Sequence, residues 1–273
     1  MSLEVFRGLS VVLTGASSGI GRAMALELAR LGARQVLAAR SAEALEEVAE
    51  RCRELGGEAE AVATDVAQEA QCRALVERAV ELYGGSDGGL DVLINNAGRT
   101  MWSRFDELES LRPLEQLMQI NYFGSLYCTY YALPHLKRSR GRIVGVSSLT
   151  GKTGVPTRSG YAATKHAMAG FFDSLRIELA DTGVTVTMTY PDFVATDTRR
   201  NAFGSDGERL GESPVQEGKV MTAERCGHLI LQAAARRQRE LIPSLRGRLG
   251  LWLKVLSPSL VDRIAQRAIR RGR

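Results

Sequence analysis

The stretch "SGYAATKHAM", residues 159–168, sets a tyrosine, Tyr161, four positions ahead of a lysine, Lys165. On a helix that spacing stacks the two side chains on one face. An ammonium beside a phenol favours the phenolate, so the pair could form a tyrosine that gives or takes a proton near neutral pH. The same spacing also describes a half-exposed aromatic beside a solvated lysine, and the pair alone does not separate the two.

A second stretch, "TGASSGIG" from Thr14 to Gly21, lies where an apolar run gives way to a helical pattern. Gly15 allows a tight turn, Gly19 lets the backbone approach a pyrophosphate, and Gly21 permits close helix packing; the helix N-terminus offers free N–H groups to phosphates. Strand before and helix after are the context that such a glycine triplet needs. The next apolar run ends in "LAARS", where NAD-preferring folds carry an acid for the ribose 2′-hydroxyl. Arg40 stands there instead, and a guanidinium suits a 2′-phosphate, with Ser17 or Ser41 able to add a hydroxyl. The expected cofactor is NADP(H), with NAD(H) second; the plainer reading is an arginine in water at a strand end.

These residues need elements to hold them, and the chain supplies a regular alternation. "SVVLTG", "RQVLAAR", "GEAEAVATDV", "LDVLINNAG", "GRIVGVSS" and "GVTVTMTY" are apolar runs separated by helical-period stretches. That beat predicts an α/β protein: a single-domain Rossmann fold, its doubly wound parallel sheet covered by helices on both faces. No linker, repeat or low-complexity segment divides it, so residues 1–243 form one domain and 244–273 a helical extension of it. The long irregular stretch between Pro191 and Met221 is expected to be a lid or binding loop at the carboxyl edge of the sheet, or else a surface excursion.

Composition agrees with a soluble globular protein: 44% hydrophobic and 25% charged residues over 273 positions. Gln116 to Leu136 carries no formal charge but holds too many polar groups for a membrane span, and is expected to be a buried helix. Cys52, Cys72, Cys128 and Cys226 lie far apart without ligand spacing, which implies no metal, no disulfide framework and a reducing compartment. The first strand-like run begins by Ser10, leaving no room for a signal peptide, so the expected location is the cytoplasm. Of the net charge of +5, the last thirty residues hold eight Arg or Lys against the single Asp262, so basicity belongs to the tail. No nucleic-acid-binding motif accompanies it, and no nucleic acid partner is expected.

Taken in order, "TGASSGIG", "TDV" around Asp65, "NNAG" at Asn95 to Gly98, Asn121, "VSS" ending at Ser148, and Tyr161 with Lys165 resemble the motifs of the classical short-chain dehydrogenase/reductase family over roughly residues 7–242. The resemblance implies an oxidoreductase with a Ser148, Tyr161, Lys165 and Asn121 tetrad. Tyr161 would be the general acid in reduction and the base in oxidation; Lys165 would lower its pKa and hold the nicotinamide ribose; Ser148 would hydrogen-bond the substrate oxygen. Asn121 would keep a water near Lys165. Ser147 is the neighbouring candidate to Ser148, but strand alternation sends it to the other side. Asp65 would touch the adenine, Asn95 would hold the central strands and the cofactor ribose, and Thr196 would reach the nicotinamide amide. Ser18, Ile20, Val66, Ala97, Gly98, Pro191 and Val194 complete the implied cofactor contacts. The family places Gly after the proline where this chain has Pro191-Asp192, which leaves the cofactor loop's local geometry open: the carboxylate could shape substrate polarity, disfavour the oxidised ring's exit or face solvent.

Beyond "ELIPS", Leu249, Trp252, Leu253 and Leu256 make an apolar stripe, Pro258 breaks it, and Leu260, Val261, Ile264, Ala265 and Ala268 make a second, with Arg263, Arg267 and Arg270 on another face. Docking on the body or on a dimer partner is the favoured reading, and contact with an anionic membrane surface the alternative. The expected activity is NADP(H)-dependent interconversion of a carbonyl and an alcohol, first on an acyl, steroid or lipid ketone. A sugar or polyol is the rival substrate, given the charged loop between Asp192 and Val220, and a non-catalytic NADP(H)-binding sensor the rival class. A homodimer or homotetramer is implied through the family's long fourth and fifth helices.

Overall fold

The computed structural model describes residues 2–196, 201–211 and 220–271, residues 268–271 by backbone only. The charged loop therefore lies in part outside the described residues, as do the side chains of Ala268 and Arg270.

The first half alternates strictly: β1 (Ser10–Thr14), α1 (Gly19–Arg30), β2 (Arg34–Ala39), α2 (Ala42–Glu54), β3 (Glu58–Ala63), α3 (Glu69–Tyr83) and β4 (Val92–Asn95). Then follow α4 (Arg112–Met118), α5 (Gly124–Ser139), β5 (Arg142–Val146), α6 (Ser159–Glu178) and β6 (Thr185–Thr189). A two-stranded ribbon of β7 (Val194–Ala195) and β8 (Met221–Thr222) precedes α7 (Ala223–Ala235), β9 (Glu240–Leu241), α8 (Leu245–Leu256) and α9 (Pro258–Arg271). The main sheet has seven parallel strands in the order β3-β2-β1-β4-β5-β6-β9.

Period-two alternation assigns each strand residue to one of two cores. Val11 and Leu13 of β1 face the layer built from Met24 and Leu28 of α1, Leu45 and Val48 of α2 and Ile230 of α7. Val12 faces the opposite layer, with Leu75 of α3, Cys128 and Leu136 of α5 and Phe172 of α6. Strands covered on both faces are apolar over most of their length, and β1 and β5 are buried throughout, with Ser10, Thr14 and Arg142 at their ends. All four cysteines are buried, free thiols.

Chain order runs outward from β1 to β3 and then returns to β4 on β1's other side. The helices after β1 and β4 thus leave on opposite faces, opening a crevice at the carboxyl ends of those strands, where such sheets bind ligands. Gly15 and the segment after Asn95 border it.

Two expectations need correction. The stretch Gln116 to Leu136 is not one buried helix: α4 and α5 are joined by a π-turn at Gln119–Phe123, and Tyr130 on α5 is 70% exposed. The tail forms the two expected helices, but its first stripe turns outward, with Leu249, Trp252 and Leu256 at 60%, 72% and 81% exposure. Leu253 of the same stripe is half-buried, and α8 meets the body at the buried Gly247, beside Ile242 and Leu149, and through Lys254 donating to the Lys152 carbonyl at 2.7 Å.

Candidate active site

The turn after β1 is built by backbone needs that glycine meets. Gly15 and Gly19 sit at φ of 68° and 53°, in the left-handed region. At Gly21 the demand is space: a Cβ there would stand 2.0 Å from the Gly15 carbonyl oxygen, so the start of α1 can press against the turn only with glycine. Helix α1 begins after Ser18 with no side-chain cap, leaving its first N–H groups for a ligand at this end.

The adjoining cavity, about 540 Å³, is lined on this side by Gly15, Ser17, Ser18, Gly19 and Ile20. Arg40 and Ser41 border it at the end of β2, Asp65 and Val66 after β3, Ala97 and Gly98 after β4, and Tyr161 and Lys165 from α6. The glycine cradle, the uncapped helix end and a basic group at the end of β2 fit a dinucleotide. Gly21 lies behind the turn as packing. Pro191, Val194 and Thr196 line a smaller adjoining pocket of about 110 Å³, together with Ser148, Arg158, Asp192 and Phe193; Tyr161 and Ile20 belong to both.

Asn95 does not reach the cavity. It is the last residue of β4, 1% exposed, and its Nδ2 donates to Thr129 Oγ1 on α5 at 3.0 Å. The next residue, Asn96, takes the place expected of it: Asn96 lines the cavity and its Nδ2 donates to the carbonyls of Thr14 and Gly15 at 3.0 and 3.1 Å. Two adjacent asparagines at a strand end face opposite sides, and the register of β4 decides which one meets the glycine turn.

Tyr161 and Lys165 share a face of α6, but the ammonium does not lie on the phenol. Lys165 Nζ donates to the Val146 carbonyl at 3.0 Å and stands 5.8 Å from the Tyr161 ring centroid. Burial pulls the Lys165 ammonium down to about 8, because the buried site penalises its charge. Burial likewise raises the Tyr161 phenol, opposed by the charge of Arg158 and by a hydrogen bond with Ser148. A second cation, Arg158, stands about as near the ring as Lys165 does and opposes the effect of burial on the phenol. Arg158 immediately precedes α6, 8% exposed, with its guanidinium 4.4 Å from the Trp102 ring, 5.6 Å from Phe193 and 6.0 Å from Tyr161.

Ser148 lies two residues past β5 in extended backbone, where its Oγ accepts from the Thr150 N–H at 3.3 Å. Ser147 does face elsewhere, donating to the Lys165 carbonyl at 3.3 Å, although it also touches both pockets. Asn121, 0% exposed, sits in the π-turn. Its Oδ1 accepts from the Arg99 N–H at 2.8 Å, and its Nδ2 donates to the Arg99 carbonyl and Thr164 Oγ1, both at 2.9 Å. With both amide donors and an acceptor lone pair engaged, the side chain braces the segment after β4 against α6. Asp192 is half-buried, and its Oδ2 accepts from Ser244 Oγ at 3.5 Å; the same Ser244 caps α8. The carboxylate that replaces the usual glycine thus joins the substrate-side pocket to the tail.

Sequence reasoning did not single out Asn96, Arg99, Arg158 or Arg209 as site residues, and only Asn96, inside the "NNAG" motif, left a signal that could have found it.

Residues 10–206 match the family model described as short chain dehydrogenase. The chain is 36% identical over 265 residues to 11-beta-hydroxysteroid dehydrogenase A of Sesamum indicum, covering 95% of this chain and 75% of that protein. It is 36% identical over 267 residues to 11-beta-hydroxysteroid dehydrogenase 1A of Arabidopsis thaliana, with the same two coverages. A Dictyostelium discoideum relative, dehydrogenase/reductase SDR family protein 7-like, is 32% identical over 263 residues, 94% of this chain and 80% of its own.

Proposed function

Since this chain belongs to the short chain dehydrogenase family and is an oxidoreductase, we propose that it uses NADP(H) to interconvert a ketone or aldehyde and an alcohol on a lipophilic substrate. The observation that carries the cofactor choice is Arg40: it borders the dinucleotide cavity at the end of β2, where a carboxylate would be needed to accept from a free 2′-hydroxyl. A guanidinium there is matched to a phosphate.

The bound dinucleotide supplies hydride in reduction and accepts it in oxidation. In the reductive direction Tyr161 gives its phenolic proton to the carbonyl oxygen; burial keeps that phenol protonated at neutral pH, the form an acid requires. Ser148, which lines the same pocket as Tyr161, donates to the same oxygen as negative charge gathers there. Lys165 holds the nicotinamide ribose from its place between Val146 and Tyr161, and Asn121 fixes the backbone of Arg99 beside it.

Ile20, Phe193, Val194 and Pro191 supply apolar surface to the pocket beside Tyr161, which supports a lipophilic substrate, as do relatives named for a hydroxysteroid. Arg158 and Asp192 in the same pocket favour the second reading, a polar substrate such as a sugar or polyol. The outward stripe of α8, flanked by Arg246, Arg248 and Lys254, supports peripheral contact with an anionic membrane surface by a cytoplasmic enzyme. Tyr130 of α5 and Ile177 of α6, 70% and 72% exposed, support association through those helices.

Titration of NADPH and NADH by fluorescence, on wild type and Arg40→Asp, tests the cofactor reading. Tighter NADPH binding that the variant loses is the expected result; equal or tighter NADH binding by wild type overturns it. Turnover of steroid ketones against sugars under the preferred cofactor then separates the substrate classes.

A further inference from the structure

Residues 201–211 form a small hairpin built onto the segment that follows β4. Phe203 N–H donates to the Thr100 carbonyl at 3.0 Å, and Trp102 N–H donates to the Phe203 carbonyl at 2.9 Å. The hairpin closes on itself through Gly204 N–H to the Glu208 carbonyl at 2.9 Å and Leu210 N–H to the Ala202 carbonyl at 3.0 Å. Phe203, 3% exposed, packs with Met101 and Leu117 in a separate apolar cluster that anchors it. This piece of the long loop is consequently fixed relative to the dinucleotide cavity, although it lies far along the chain from β4.

Two arginines on this joint line the cavity. Arg99 lies over the Phe203 ring, its Cζ 3.6 Å from the centroid, and its Nε donates to the Asn201 carbonyl at 2.9 Å, so its guanidinium is held in place by the hairpin. Arg209 comes from the hairpin's second arm, opposite Phe203 in a bridge pair, and is exposed toward solvent and cavity. Arg40 borders the same cavity from β2. Burial above all, and then the charges of Arg40 and Arg209, push Arg99 down to about 10, with Glu208 opposing them. Three guanidinium groups around one cavity repel one another until an anion stands between them. Arg99 cannot swing away to relieve this without giving up its stacking on Phe203 and its bond to Asn201.

We propose that Arg99 and Arg209 bind the phosphate groups of the dinucleotide, so that the hairpin and the segment after β4 form a second phosphate-gripping wall beside the glycine turn and Arg40. The inference rests on the reading of this cavity as the dinucleotide site, but not on the preference for NADP(H) over NAD(H). It also gives the long loop a defined role, in which one arm carries Phe203 into the fold and the other carries a charge to the cofactor.

Fluorescence titrations of NADPH and NADH on wild type, Arg209→Gln, Arg209→Lys and Arg99→Gln test it, with thermal melts to establish that each variant is folded. Arg209 is exposed, so its variants are expected to melt with wild type. Loss of a charge-assisted phosphate contact corresponds to about tenfold weaker binding. The expected result is that Arg209→Gln weakens NADPH by about that factor, Arg209→Lys by less, and that the difference shrinks as salt is raised. Binding of both dinucleotides within twofold of wild type by Arg209→Gln and Arg99→Gln overturns the proposal. A wild type that prefers NADH would overturn the cofactor preference alone, because weaker NADH binding by Arg209→Gln would still support the phosphate wall.

Discussion

The side-chain amide of Asn121 holds both backbone polar groups of Arg99: its Oδ1 accepts from the Arg99 N–H at 2.8 Å and its Nδ2 donates to the Arg99 carbonyl at 2.9 Å. A residue in a π-turn thereby takes the part of a neighbouring strand for the segment leaving β4, and a third bond, to Thr164 at 2.9 Å, ties both to α6. The interruption of the helix at Gln119–Phe123 is where the chain gives up regular helical bonding to present this amide. Replacing Asn121 with Ala would leave the part-buried N–H and carbonyl of Arg99 without their partner and remove one of the two bonds of Thr164 Oγ1, so a loss of roughly 2–4 kcal/mol in urea unfolding is expected. NADPH binding should weaken with it, since Arg99 and Gly98 line the cavity. Unfolding within about 0.5 kcal/mol of wild type would refute the bracing role.

Gly21→Ala should cost more than its single methyl suggests. The new Cβ would meet the Gly15 carbonyl at 2.0 Å and Asn96 Nδ2 at 2.6 Å, and the first contact is with backbone. Relief requires α1 to move off the turn, so destabilisation by about 3 kcal/mol or more and loss of dinucleotide binding are expected. Gly170→Ala, on the open face of α6 with nothing within 4 Å, serves as the control and should be neutral or stabilising.

Tyr161→Phe removes the proton donor while retaining the ring. Turnover should fall by about 10²–10⁴-fold, with dinucleotide affinity nearly unchanged. Stopped-flow measurement of the hydride step at saturating cofactor checks it; retained turnover would place the acid elsewhere.

Lys165 gives the protein free of cofactor a pH signature. Its folded value of about 8 lies below the ordinary lysine value, so between roughly pH 8 and 10 the unfolded chain binds more protons than the folded one. Stability therefore rises with pH across that window, and the penalty for burying the ammonium is fully present below it. In Lys165→Met this rise should disappear. Urea midpoints for both proteins from pH 7 to 10 decide the matter, and parallel curves would count against a penalised lysine.

Trp252→Asp tests the tail. The side chain is 72% exposed, so folding stability should stay within about 0.5 kcal/mol of wild type. Co-sedimentation with anionic phosphatidylserine vesicles should fall sharply, and binding to neutral vesicles should be weak for both proteins. Equal sedimentation of wild type and variant with anionic vesicles would remove the membrane reading.

Some of this protein was legible in its sequence because the relevant physics is local. Apolar runs alternating with helical periods fix which faces of strands and helices are buried, and the two-core sandwich follows from that. Three glycines between a strand and a helix specify the turn, since φ near +68° at Gly15 and a carbonyl where the Gly21 Cβ would be exclude other residues. Four-residue spacing puts Tyr161 and Lys165 on one face of α6 whatever packs around it.

Other features belong to tertiary structure alone. Periodicity marks both Asn95 and Asn96 as the end of a strand, but the pairing register of β4 sends one toward Thr129 and the other to the glycine turn. The stripe of Leu249, Trp252, Leu253 and Leu256 marks an apolar helix face without saying whether this chain covers it, and here Leu253 is half-buried while the other three stay exposed. The order of charges around Tyr161 depended on where each long side chain came to rest: Lys165 on the Val146 carbonyl, Arg158 among Trp102, Phe193 and Tyr161. Arg99 and Arg209 meet Arg40 only because Phe203 pins a distant hairpin to the strand end. Spacing along the chain determines which side chains share an element's face; which elements then meet is decided by burial and long-range pairing, and these carry no local period.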